Sequence, residues 1–136
     1  MKKVLVLCTG NSCRSIMAEG LINALGAGQY QAYSAGSEPA GYVHPMALAT
    51  LSRHGIDGAE PVSQSRDIYA DQPFDLVITV CDNAAQETCP AFPGGFERLH
   101  WSTPDPAHVT GDEATVEAAF EDAFAQLRAR VTSELL

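Results

Sequence analysis

The chain has 136 residues and a mass of 14.5 kDa, which allows one domain, spanning residues 1–136, around one hydrophobic core. With 46% hydrophobic and 18% charged residues it is not a disordered tail, and its apolar runs are too short to span a bilayer. Eight Lys and Arg against seventeen Asp and Glu leave a net charge of -9, which argues against nucleic acid or an anionic membrane as partner and requires that any anionic substrate meet a local positive field.

Lys2 and Lys3 followed by Val4 to Cys8 imitate the start of a signal peptide. The apolar run stops at Thr9-Gly10-Asn11, short of the roughly 7 to 15 residues such a segment needs, so a cytoplasmic protein is expected. In that reducing compartment the four cysteines, Cys8, Cys13, Cys81 and Cys89, are expected to be reactive rather than paired as staples. Neither pair has the short spacing of a structural zinc site.

Val4 to Leu7 reads as a strand buried on both faces, bounded by a turn signal. Ser12 to Leu25 reads as a helix, with Ile16, Met17, Leu21, Ile22 and Leu25 at helical spacing and Gly26 at its end. Gln31 to Ser34 suits a short strand, Pro45 to His54 a second helix, Phe74 to Val80 the clearest strand, and Arg98 to Trp101 a fourth. Thr110 with Glu113 forms a capping-box pattern for a long last helix. Its apolar stripe is Val116, Phe120, Ala123, Phe124, Leu127 and Val131, with Arg128 and Arg130 near the favoured end of the dipole. Strands alternating with helices predict an α/β fold, three layers α/β/α around a four-stranded parallel sheet, with function at the carboxyl ends of strands. Cys8 and Cys81 both stand at such ends.

Cys8-Thr9-Gly10-Asn11-Ser12-Cys13-Arg14-Ser15 lies between a predicted strand and a predicted helix. A turn at a helix N-terminus aims backbone N–H groups at one point, and the dipole adds positive charge there, so an oxyanion would settle in the loop formed by Thr9 to Arg14. Gly10 is expected to supply a backbone conformation that residues with Cβ resist, and Arg14 a planar fork of donors. The same field favours thiolate at Cys8, making it a nucleophile to which Ser15 is placed to donate a hydrogen bond. Cys13 is expected to support the cradle as a packed or hydrogen-bonded thiol. His44, His54 and His108 are expected to cap or face solvent.

These residues carry a family resemblance. The loop, with Met17-Ala18-Glu19-Gly20 behind it, Tyr33-Ser34-Ala35-Gly36, the Cys81 and Cys89-Pro90 pair, and His100-Trp101 leading to Asp105-Pro106-Ala107, resembles the thioredoxin-linked arsenate reductases, which share the fold of the low-molecular-weight protein tyrosine phosphatases. The first motif is common to both activities. Where the phosphatases usually carry Pro after Cys-Arg-Ser and tyrosines after Asp-Pro, this chain has Ile16 and Ala107, and Cys81 and Cys89 have no task in ester hydrolysis.

The resemblance therefore implies reduction of arsenate, with phosphate or sulfate as analogues. Cys8 attacks arsenate with Asp105 as general acid, Cys81 then attacks Cys8 to release arsenite and leave a Cys8–Cys81 disulfide, and Cys89 attacks Cys81 to carry the disulfide outward to thioredoxin. It also implies a potassium ion on Asn11, Glu19, Ser34 and Asp67, and no required cofactor. Eight residues of helix rise about 12 Å, whereas a disulfide needs Cα atoms within about 7 Å, so Asp82 to Thr88 must unwind or loop out for Cys81 to reach Cys89. Better-known relatives have one residue fewer between these cysteines, which leaves a low-molecular-weight thiol open as the reductant. The alternatives are a low-molecular-weight protein tyrosine phosphatase working through a cysteinyl-phosphate, and a non-catalytic protein that binds an oxyanion or arsenite.

Overall fold

The computed structural model describes residues 1–56, 62–69, 71–80 and 97–136, and of His108 only the backbone. Four strands, β1 (Lys2–Cys8), β2 (Tyr30–Gly36), β3 (Leu76–Thr79) and β4 (Glu97–His100), form one parallel sheet in the order β2-β1-β3-β4. Among the described residues three α-helices, α1 (Arg14–Leu25), α2 (Pro45–Arg53) and α3 (Glu113–Glu134), accompany it, with short 3-10 helices at Arg66–Tyr69 and Pro106–His108. Among the described residues no helix is long and apolar enough to cross a membrane.

β1 is central because it can bury both faces. Val4, Val6 and Cys8 join the core shared with Ile16, Leu21, Trp101, Phe120 and Phe124, while Leu5 and Leu7 point the other way, into a cluster with Ala35, Tyr69, Phe74 and Val77. This is the two-residue alternation of a strand with no solvated side. α1 lies against β1 and β2, and α3 packs on α1 and α2. The second cluster covers the opposite face, where Tyr33, Tyr69 and Phe74 meet with ring centroids 5.6 to 6.0 Å apart. Both faces are thus covered, as the α/β/α layering requires.

The outer edge of β2 is also occupied. Tyr30 N–H donates to Gly26 O, and Ala32 exchanges two hydrogen bonds with the Asn23 side chain of α1. Ser34 O accepts from Gln64 Nε2, and Gly36 N–H donates to Gln64 O.

Two expectations need correction in the last helix. Its N-cap is Asp112, whose carboxylate accepts from Thr115 N–H at 2.8 Å, so Thr110 lies outside the helix and there is no capping box. Arg128 and Arg130 do not sit in the last turn, because α3 runs on to Glu134. Arg128 lies over the Phe124 ring and Arg130 pairs with Glu134 at 3.1 Å. His44 and His54 behave as the sequence suggests. His44 Nδ1 accepts from Met46 N–H at the start of α2, and His54, at its other end, stacks on Phe124 and meets Glu121 at 2.8 Å.

Candidate active site

Register sets the site. β1 pairs with β2 from Lys2 opposite Tyr30 to Cys8 opposite Gly36, so Cys8 emerges at the carboxyl edge of the sheet, directly before the loop that starts α1. Cys8 and Cys13 are both buried. The loop carbonyls are tied outward. Thr9 O accepts from Glu38 N–H, Gly10 O from Ala40 N–H and Ser63 Oγ, and Ser12 O from His44 N–H. In a trans peptide plane the next N–H points opposite to the carbonyl, so the N–H groups of Gly10, Asn11 and Cys13 turn the other way, into the loop. With no acidic residue in the first turn of α1, the positive end of its dipole is unopposed there.

The special backbone conformation belongs to Asn11 and not to Gly10. Asn11 has φ 47 and is fully buried, whereas Gly10 does not have positive φ and a Cβ there would meet Ser12 Oγ at an ordinary 3.7 Å. Asn tolerates the left-handed region, and its amide secures it: Nδ2 donates to Ser15 Oγ at 2.8 Å and to Ser34 Oγ at 3.0 Å, while Oδ1 accepts from Gln64 N–H at 2.8 Å. The glycine the loop does require is Gly36, because a Cβ there would lie 2.5 Å from Thr9 O. Ser15 Oγ, having accepted from Asn11, keeps its own hydrogen for another acceptor.

Arg14 joins the loop to the segment after β4. Its Nη1 donates to Thr103 O at 2.9 Å, and its Nη2 stands 3.5 Å from Asp105 Oδ2. Among the described residues its Nε is a buried donor with no hydrogen-bond partner. The segment is anchored to β3 by Trp101 N–H to Thr79 O and Thr103 N–H to Val80 O, with the Trp101 side chain fully buried in the core. His100, at the end of β4, meets Thr79 Oγ1 at 2.7 Å. Asp105 caps the 3-10 helix Pro106–His108 and holds extended backbone between two prolines.

Glu19, half-buried on α1, has its carboxyl pushed up to about 6 by burial, against hydrogen bonding with Ser34 that lowers it. Asn11, Ser34 and Glu19 are therefore brought together. Asp67 is exposed on the first 3-10 helix, its N–H donating to Ser65 Oγ. Gln64 reaches Asn11, Ser34 and the Tyr69 hydroxyl, and sequence reasoning missed it. It lies in a polar stretch with no motif, and only the fold brings it under the loop. Burial and the Glu19 charge push the Tyr69 phenol up. Cys81 and Cys89 lie outside the described residues.

A cysteine at a parallel-strand end, a loop of inward N–H groups and an arginine returning to an aspartate together define a phosphatase-type oxyanion site on an α/β fold. The family model for low molecular weight phosphotyrosine protein phosphatase matches residues 3–135, and the chain belongs to that family. It is 43% identical over 119 residues to the arsenate reductase of Halalkalibacterium halodurans, covering 88% of this chain and 84% of that protein. A solved arsenate reductase in the phosphate-binding state superposes with a TM-score of 0.77 at 32% identity, covering 97% of this chain and 95% of the other. The thioredoxin-dependent arsenate reductase of Corynebacterium glutamicum gives 0.69 at 26% identity, covering 98% and 61%.

Proposed function

We propose that the chain reduces arsenate to arsenite, with electrons supplied by its own cysteines and restored by thioredoxin. The observation that carries this reading is Arg14. Rooted in the loop after Cys8, it returns to Thr103 and Asp105, so that nucleophile, anion donors and carboxyl belong to one bonded assembly. The arsenate reductases among the relatives favour reduction over ester hydrolysis.

In this reading Cys8 reacts as thiolate, held by the loop N–H groups, the α1 dipole and a hydrogen bond from Ser15 that Asn11 orients. Arg14 and the backbone of Thr9 to Cys13 bind the oxyanion. Cys8 sulfur bonds to arsenic as Asp105 protonates the departing oxygen, which leaves as water. Cys81 then attacks Cys8 sulfur, and the electron pair of the sulfur–arsenic bond stays on arsenic, giving As(III) and a Cys8–Cys81 disulfide. Cys89 attacks Cys81, expelling the Cys8 thiolate, and the thioredoxin dithiol reduces the Cys81–Cys89 disulfide.

A potassium ion beside the loop fits the donor chemistry at Glu19, a hard oxygen whose charge is buried among neutral groups. Glu19 and Ser34 would hold it, with Asn11 and Asp67 completing the set. It would supply fixed positive charge near the cradle.

The test is arsenite formation by pre-reduced protein in a single turnover, beside NADPH consumption with thioredoxin and thioredoxin reductase. Cys8→Ser abolishes both, while Cys89→Ala keeps the single turnover and loses the coupled one. Coupled turnover undiminished in Cys89→Ala overturns the relay. Brisk aryl phosphate hydrolysis without arsenite would establish the phosphatase instead, and stoichiometric anion binding without either activity would mark a binding protein.

A further inference from the structure

We propose that Cys13 is a positioning residue for Asp105, its thiol donating to Oδ1 and so fixing the carboxyl whose Oδ2 faces Arg14. The inference rests on the proposed role of Asp105 as proton donor.

Cys13 occupies the N-cap of α1, a place where Ser, Thr, Asp or Asn commonly bonds the helix's own first N–H groups. Its side chain makes no such bond. Sγ instead lies 3.6 Å from Asp105 Oδ1, across 92 residues of sequence, and 3.8 Å from Ser12 Oγ. The backbone behind it is secured by Met17 N–H donating to Cys13 O at 2.9 Å. Only 5% exposed, the side chain has little room to turn elsewhere.

Asp105 Oδ1 also accepts from Ala107 N–H at 3.0 Å, and Oδ2 meets Arg14 Nη2 at 3.5 Å. The Ala107 bond holds the carboxyl to its own short helix. Cys13 and Arg14 hold it to the cradle, and they are consecutive residues, so loop and acid are registered at two adjacent points. A single contact at Oδ2 would leave the carboxyl plane free to turn, whereas one at each oxygen sets it. Burial, and then the Asp105 charge, push the Cys13 thiol up, so at neutral pH it is S–H: a donor to the carboxylate and no rival to Cys8 as nucleophile.

The experiment follows single-turnover arsenite formation by pre-reduced protein against pH, with saturation in arsenate, for wild type, Cys13→Ala, Cys13→Ser and Asp105→Asn. A donor to a carboxylate favours its ionised form, so losing the thiol is expected to move the alkaline limb of the maximal rate to higher pH. Cys13→Ala is expected to lower the maximal rate about tenfold while half-saturation in arsenate stays within roughly twofold. Cys13→Ser, which restores a donor, recovers most of the rate and returns the limb.

A Cys13→Ala protein that loses only thermal stability or arsenate affinity, with rate and limb as in wild type, overturns the proposal, as does a Cys13→Ser protein no better than the alanine variant. Asp105→Asn is expected to lose the alkaline limb. If it keeps both rate and limb, the assignment of Asp105 as proton donor fails on its own account.

Discussion

Glu19 keeps its proton to about pH 6 because ionising it would place a negative charge in a half-buried site among hydroxyl and amide groups. Its folded value lies above the ordinary 4.5, so the folded protein binds more protons than the unfolded chain between those values and loses stability as pH rises through them. Above pH 6 the penalty is complete, about 2 kcal/mol from the size of the shift. Glu19→Gln in choline chloride should therefore melt higher than wild type at pH 7.5 and match it near pH 4. Potassium chloride at equal ionic strength should narrow the gap at pH 7.5 by raising the wild type alone, and no potassium effect would remove the ion from the proposal. The loop motif pointed to Cys8 and Arg14 by type and local setting, the family resemblance pointed to Asp105, and the structure brings Arg14 to Asp105. Asn11 was singled out for its place in the loop but not for its conformation, and Gln64 not at all, since what they do depends on chain that returns from far away.

At the scale of elements, local signals located strands and helices well and erred where two signals competed. Thr110 and Glu113 match a capping box by spacing, but Asp112 intervenes with a carboxylate, and the helix begins after it. Its carboxyl is held below the ordinary value by hydrogen bonds with the Thr115 side chain and then with Thr115 N–H. Asp112→Ala should lower the urea midpoint at pH 7, an effect that fades as pH falls and the carboxylate protonates, while Thr110→Ala should leave the midpoint unmoved. A larger loss from Thr110 would restore the capping box. The contact between α2 and α3 was not legible. Arg53 reaches Glu117 and Glu121, and His54 lies flat on Phe124 at 4.1 Å, arrangements that depend on how two helices distant in sequence cross.

For the whole molecule, the pattern of buried and alternating segments was enough to place four parallel strands with the site at their carboxyl ends, because a strand with no polar positions must lie inside a sheet. What the pattern lacked was the treatment of the rim. Ala32 meets a side chain that offers a donor and an acceptor in the spacing of a neighbouring strand. Asn23→Ala should therefore leave α1 intact yet expose one donor and one acceptor on β2, and the variant should associate at high concentration where wild type stays dispersed, as read by light scattering. Equal scattering would show that the Gln64 and Gly26 bonds guard the rim unaided. Asn23 thus acts as a counterfeit strand: it fills the place a foreign chain would take, so that a crowded neighbour with a matching sequence finds no template on that side.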